Sequence, residues 1–183
     1  MTLNVAVIIG SLRKDSLNRH LAREVMKLNA PGLAFRELPI ADLPFYNQDF
    51  EDAPPAAVTA FRDAVITADA FLVISPEYNR SLPASVKNAI DIASRPMGKN
   101  RWQDKPVGVF GCSPGAIGTA AMQQHIRPIL AAVRAQVYTG PEVYLHVGDG
   151  FFTPDGALND STKGFLQGWM DGFAAFSAMW ANR

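Results

Sequence analysis

The chain has 183 residues, of which 48% are hydrophobic and 19% charged, so it is expected to fold as one globular domain over residues 1–183 and not to be disordered. Lys plus Arg number 17 and Asp plus Glu number 17, and this balance excludes a broad nucleic-acid surface or a basic membrane face. A single cysteine, Cys112, excludes an internal disulfide, and the run Val5 to Ile9 is too short for a signal-peptide core or a membrane span, so a cytoplasmic protein is expected.

In chain order, Asn4–Ile9 is the first strand candidate, and the loop GSLRKDSLN, Gly10 to Asn18, follows it. An amphipathic helix comes next, with Leu17, Leu21, Val25 and Leu28 on one face and Ser16 as its N-cap. Ala34–Leu38 is the second strand, and the polar, proline-bearing stretch Leu43–Pro55 reads as a long surface connection. Val58, Phe61 and Val65 mark a helix entered through Pro54-Pro55. The third strand, Ala70–Ser75, leads into SPEYNRSLPASVKNAID, where Pro83 suits the first turn of a helix carrying Val86, Ile90 and Ala93. Lys87 and Asp91 are spaced for a solvated i,i+4 contact on that helix. Val107–Gly111 is the fourth strand. Met122, Ile126, Ile129, Leu130 and Val133 mark a further helix, which Pro128 should kink or split. Gln136–Tyr138 is the fifth strand candidate, and Gly148–Asn159 reads as surface. Phe165, Trp169, Phe173, Phe176 and Trp180 mark the last helix, with Asp160 or Ser161 expected as its N-cap and its aromatic stripe read as core or subunit interface.

Strands one, three and four are near-continuous apolar runs, as in parallel sheets covered on both faces. Five βα units of this size imply an α/β fold, a three-layer, doubly wound, five-stranded parallel sheet. Alternation alone leaves the strand order open. In such sheets ligands sit beyond the carboxyl ends of the strands. The loops Ser11–Asn18, Pro76–Leu82 and Cys112–Gly118 are therefore the candidate site.

The first loop has two readings. If Ser16 caps the helix, free N–H groups and the positive end of the dipole favour an anion, with Ser11, Ser16 and Asn18 as further donors and Arg13 as a counter-charge. Otherwise it is a solvated turn with an ordinary cap. The Walker and dinucleotide patterns are absent, because Arg13 and Asp15 stand where glycines would, and Glu37 is read as surface. A hydroxyl-lined loop with few glycines suits a terminal phosphate monoester, the kind that ends FMN. In the second loop, backbone groups of Glu77–Asn79 suit the polar edge of a flat ring and Tyr78 its face. The competing reading makes Glu77 a cap for the next helix and Tyr78 a core residue. The third loop holds GCSPG, a literal G-x-S-x-G match with Ser113 as nucleophile, Glu142 as acid and His125 or His146 as base. It lacks the oxyanion segment and chain length that a serine esterase needs. Its other use gives a ring close backbone approach at Gly115 and Gly118 and the Ser113 hydroxyl. Cys112 reads as a small strand-end residue. His20, His125 and His146 have no metal-ligand spacing and read as surface groups or helix hydrogen-bonders, so no metal site is expected.

Three segments together, GSLRKDSLN, PEYNRSLPASVKNAIDIASRP and DKPVGVFGCSPGAIGTA, resemble the NADPH-dependent FMN reductase family, which includes bacterial quinone and chromate reductases. The resemblance runs from about residue 3 to 135 and fades in the C-terminal quarter. It implies a flavodoxin-like fold with strand order 2-1-3-4-5. It implies FMN held at its phosphate by Ser11, Arg13, Ser16, Leu17 and Asn18. It places the ring against Pro76, Glu77, Tyr78 and Asn79, with Ser113 and Gly115 nearby. NADPH or NADH would be the hydride donor and a quinone, flavin or chromate the acceptor, with no catalytic side chain required. Homodimers or homotetramers are implied too. Arg80 departs from an aromatic residue of quinone-reducing relatives, and Gln124 from a tyrosine that tetrameric relatives use between subunits. Arg80, Arg95, Lys99 and Arg101 read first as solvated surface and second as partners for the 2′-phosphate of NADPH. A flavodoxin-type electron shuttle is the alternative, but such shuttles are usually strongly acidic and this chain is balanced.

Overall fold

The computed structural model describes residues 1–181. Its element order is β1 (Leu3–Ile9), α1 (Leu17–Val25), β2 (Leu33–Glu37), a 3-10 turn (Gln48–Phe50), α2 (Ala56–Thr67), β3 (Ala70–Ile74), α3 (Ala84–Ser94), β4 (Pro106–Ser113), α4 (Ala120–Ala132), β5 (Gln136–Val137), β6 (Tyr144–His146) and α5 (Asp160–Ala181). The sheet runs β2-β1-β3-β4-β5 with every pairing parallel, the order the resemblance implies. A sixth strand, β6, was not expected. It pairs in parallel with the far end of β4, Gly111 to Ser113, after β5 has left that edge.

Period-two alternation divides the apolar runs between two layers. Ala6 and Ile8 of β1, Phe71 and Val73 of β3, and Val107 and Val109 of β4 face α2, α3 and α4. Val5, Val7 and Ile9, Ala70, Leu72 and Ile74, and Phe110 and Cys112 face α1 and α5. Trp102 anchors the first layer: it is fully buried, its ring lies 4.8 Å from Phe71, and its indole N–H donates to Ile90 O at 2.9 Å. Trp169 and Phe173 of α5 fill the second layer, so the inner part of the aromatic stripe is core, while Phe165 is exposed.

Pro128 lies inside α4 without splitting it. Asn159, not Asp160 or Ser161, caps α5: its side-chain oxygen accepts from Thr162 N at 2.8 Å and its carbonyl from Lys163 N at 2.9 Å. The Gly148–Asn159 stretch carries two core anchors, Phe151 and Leu158. Among the described residues no helix is long and apolar enough to cross a membrane.

Candidate functional site

The winding reverses between β1 and β3, and the loops leaving their carboxyl ends form one crevice. Gly10 begins it. Its N–H donates to Ile74 O at 2.9 Å, and a Cβ there would strike the Ser75 side chain and come within 2.9 Å of Val86. Only glycine lets β1 exit against β3 and α3 so closely.

Ser16 caps α1 as expected: its Oγ accepts from Arg19 N at 3.2 Å, and its carbonyl from His20 N at 3.0 Å. The main-chain N–H groups of Ser11 to Asp15, Leu17 and Asn18 donate to no acceptor among the described residues. The Ser11 side chain is buried but its hydroxyl has no partner among the described residues, and Arg13 is exposed beside it. Unpaired donors in the loop and first turn of a helix N-terminus, with a free hydroxyl and a free cation, fit a phosphate monoester. The residues present therefore fit FMN at its phosphate end.

The Asn18 side chain also has a structural task, beside the ligand role that the resemblance implies. It is buried, its Nδ2 donates to Cys112 O and its Oδ1 accepts from Cys112 N, both at 2.9 Å. This two-way bond fastens α1 to the end of β4 and leaves the side chain at most one N–H for a ligand. Cys112 itself is buried, and desolvation pushes its thiol up to about 12. It is an inert strand residue, not a nucleophile.

The second loop makes a two-residue hairpin. Tyr78 and Ser81 exchange both backbone bonds, at 2.9 and 3.0 Å, and Asn79 and Arg80 between them have φ of 50° and 66°. Two positive φ angles give a type I′ turn; asparagine tolerates that conformation, and arginine adopts it at a cost. The turn presents Tyr78 half in solvent, not in the core. Glu77 does cap a helix, but α4 instead of the adjacent α3: its carboxylate accepts from Met122 N at 3.0 Å, while its other oxygen pairs with Arg80 at 3.3 Å. Ser81 adds a second tie to α4 through His125 Nδ1 at 2.7 Å. The hairpin that would border a flavin is thus fixed to α4 at both ends.

The third loop is not an esterase elbow. Ser113 Oγ donates to Gly118 O at 2.7 Å and accepts from Gly115 N at 3.1 Å. His146 Nδ1 faces Gly115 O at 3.2 Å, and Glu142 pairs with Gln124. No histidine reaches the serine, so the triad does not assemble. Gly118, with φ of 59°, is required by the protein itself: a Cβ there would lie 2.8 Å from the Tyr144–Leu145 backbone of β6. A Cβ at Gly115 would meet only Ser113 Oγ among the described residues, at 3.3 Å.

Two of the candidate NADPH cations are committed elsewhere. Arg95 Nε binds Glu51 at 2.8 Å and the Tyr46 hydroxyl at 3.0 Å, and Arg101 donates to Arg95 O and Lys99 O, both at 2.7 Å. The Glu51 carboxyl is held below its usual range, first by the Tyr46 hydroxyl and then by Arg95. Glu37 pairs with Arg19 at 2.6 Å, and Lys87 with Asp91 at 2.7 Å.

Beside the crevice lies a cleft of about 460 Å³, lined by Gly10, Leu12, Arg13, Leu43, Phe45, Tyr78, Pro83 and Asn88 among others, a size suited to a small organic ligand. Leu43, Phe45 and Asn88 carried no sequence signal, because they come from a stretch that reads as surface and from the inner face of a helix.

Residues 3–150 match the model of NADPH-dependent FMN reductases. The chain is 44% identical over 174 residues to a quinone reductase of Pseudomonas putida, covering 94% of each. It superposes with a TM-score of 0.92 on the flavoenzyme NAD(P)H:(acceptor) oxidoreductase FerB of Paracoccus denitrificans, at 42% identity, covering 97% of this chain and 98% of that one. A flavodoxin variant of Pseudomonas aeruginosa shares the fold at a TM-score of 0.60 and 21% identity, covering 94% of this chain and 97% of that one.

Proposed function

Since the chain belongs to the NADPH-dependent FMN reductase family, we propose that it is an FMN-dependent NAD(P)H oxidoreductase whose acceptors are small molecules of the quinone class. When bound, FMN would supply the redox chemistry, hydride transfer between NAD(P)H and the acceptor.

The run of unpaired N–H groups at Ser11–Asp15, Leu17 and Asn18 carries this reading. Ser11, Arg13, Ser16 and Leu17 bind and orient the phosphate. Pro76, Glu77, Tyr78 and Asn79 form the wall for the ring, with the turn held rigid from α4. Ser113 and Gly115 border the far side, and Asn18 offers its main-chain N–H to the phosphate while its side chain fixes the position of α1. No side chain of this set is required to exchange a proton. What supports the assignment is that the three loops leave neighbouring strands on one edge of the sheet.

The purified protein is expected to be yellow, with two visible absorption bands, and to bleach when mixed with NADH or NADPH and recover colour when a quinone is added. A colourless protein that takes up no FMN refutes the reading. Arg13→Ala combined with Ser16→Ala should weaken FMN binding at least ten-fold, about 1.4 kcal/mol, in a fluorescence titration; an unchanged dissociation constant removes the phosphate assignment. A homodimer or homotetramer remains our reading from the family likeness, checked by sedimentation. One FMN-binding unit over residues 1–183 and a cytoplasmic setting are proposed from the shared sheet and the single buried thiol.

A further inference from the structure

Phe45 is 79% exposed, yet it is not on a loose loop. The residues on either side of it are fastened to a single buried side chain: Asn88 Nδ2 donates to Pro44 O at 2.9 Å, and Asn88 Oδ1 accepts from Tyr46 N at 2.8 Å. Tyr46 is pinned a second time, through its hydroxyl, which donates to Glu51 at 2.6 Å and accepts from Arg95. Its ring packs edge-on to Phe50, at 5.9 Å between centroids. A large apolar ring is therefore held out of the core by a fully bonded scaffold. It lines the same cleft as Leu12 and Tyr78, which are 52% and 49% exposed. Ile40, Leu43, Pro83 and Ala84 add apolar lining to the cleft.

Resting on the proposed function, we propose that this cleft receives the electron acceptor, that Phe45 selects planar ring systems by stacking on them, and that Asn88 is the positioning residue that fixes Phe45. A quinone with a fused second ring gains contact with Phe45, whereas a compact inorganic oxidant does not. Aromatic pairs favour offset or edge-to-face contact, and they reward a partner that is held in place beforehand.

The test uses the FMN-loaded protein with 1,4-naphthoquinone and ferricyanide as acceptors, and 2-naphthol as a planar probe that this site cannot reduce. Phe45→Ala is expected to raise the KM ratio of naphthoquinone to ferricyanide by about ten-fold, a free-energy difference of about 1.4 kcal/mol. It should weaken 2-naphthol binding, measured by calorimetry, to the same degree, and Phe45→Trp should restore both. Asn88→Ala should move the KM ratio in the same direction with kcat little altered; if it does not fold, the Phe45 pair still decides the matter. Equal 2-naphthol binding by wild type and Phe45→Ala overturns the inference. So does a change in sedimentation of Phe45→Ala with naphthol binding unaltered, which would assign the ring to contact with a second copy of the chain. A wild-type protein that holds no FMN instead fails the proposed function itself.

Discussion

Replacing Asn18 with alanine should destabilise the protein before any ligand is considered. The substitution removes two buried hydrogen bonds of 2.9 Å and leaves Cys112 N–H and C=O without this partner at the end of β4. A net bond contributes about 0.5–1.5 kcal/mol, and a buried group left unsatisfied costs about 1–3 kcal/mol. We expect a loss of about 2–4 kcal/mol, a size seen when a buried network is broken. For a chain of this length each kcal/mol lowers Tm by about 2–4 °C, so the expected drop is about 4–16 °C. Urea unfolding of the FMN-free protein, followed by far-UV circular dichroism, measures it, and an unchanged m-value would place the effect in the folded state. Asn18→Asp adds a check of sign. It keeps the acceptor for Cys112 N–H but turns a carboxylate oxygen toward Cys112 O in a buried site, which raises the folded carboxyl pKa above the unfolded one. Its penalty should therefore deepen as pH rises through the ordinary carboxylate range. An Asn18→Ala protein whose FMN-free stability matches wild type, but whose FMN affinity collapses, would refute the reasoning and make the side chain a ligand group and not a clamp.

Glu77→Ala should lower stability by about 1–2 kcal/mol through loss of the α4 cap, with Glu77→Gln recovering most of it, because Met122 N–H needs an acceptor oxygen more than a charge; equal urea midpoints for all three proteins would contradict this. Cys112 should resist a thiol reagent at pH 8 in the native protein and react only after unfolding, as buried thiols with pKa near 12 do. The same shift gives a pH dependence. The folded thiol ionises near 12 and the unfolded one near 9, so its contribution to stability is intact below about pH 9 and is lost as pH rises toward 12. Stability that rises across that window in wild type, relative to Cys112→Ser, would reverse the sign.

The sheet, its three loops and the family were legible in the sequence because each rests on local information. Apolar runs such as Ala70–Ile74 report burial on both faces, the Ser16 cap reports the start of α1, and GSLRKDSLN keeps its donors within a few residues of one another. Tertiary structure decided what depends on distant partners. Tyr144–His146 becomes a strand only because β4 outruns β5 and offers it a free edge. Asn18 meets Cys112 94 residues away, and Glu77 meets Met122 45 residues away. No periodicity records such encounters, since an asparagine amide or a carboxylate looks the same in a ligand loop as in a structural clamp. Phe45 reads as one more apolar residue in a surface loop until Asn88, on another element, fastens the peptides around it.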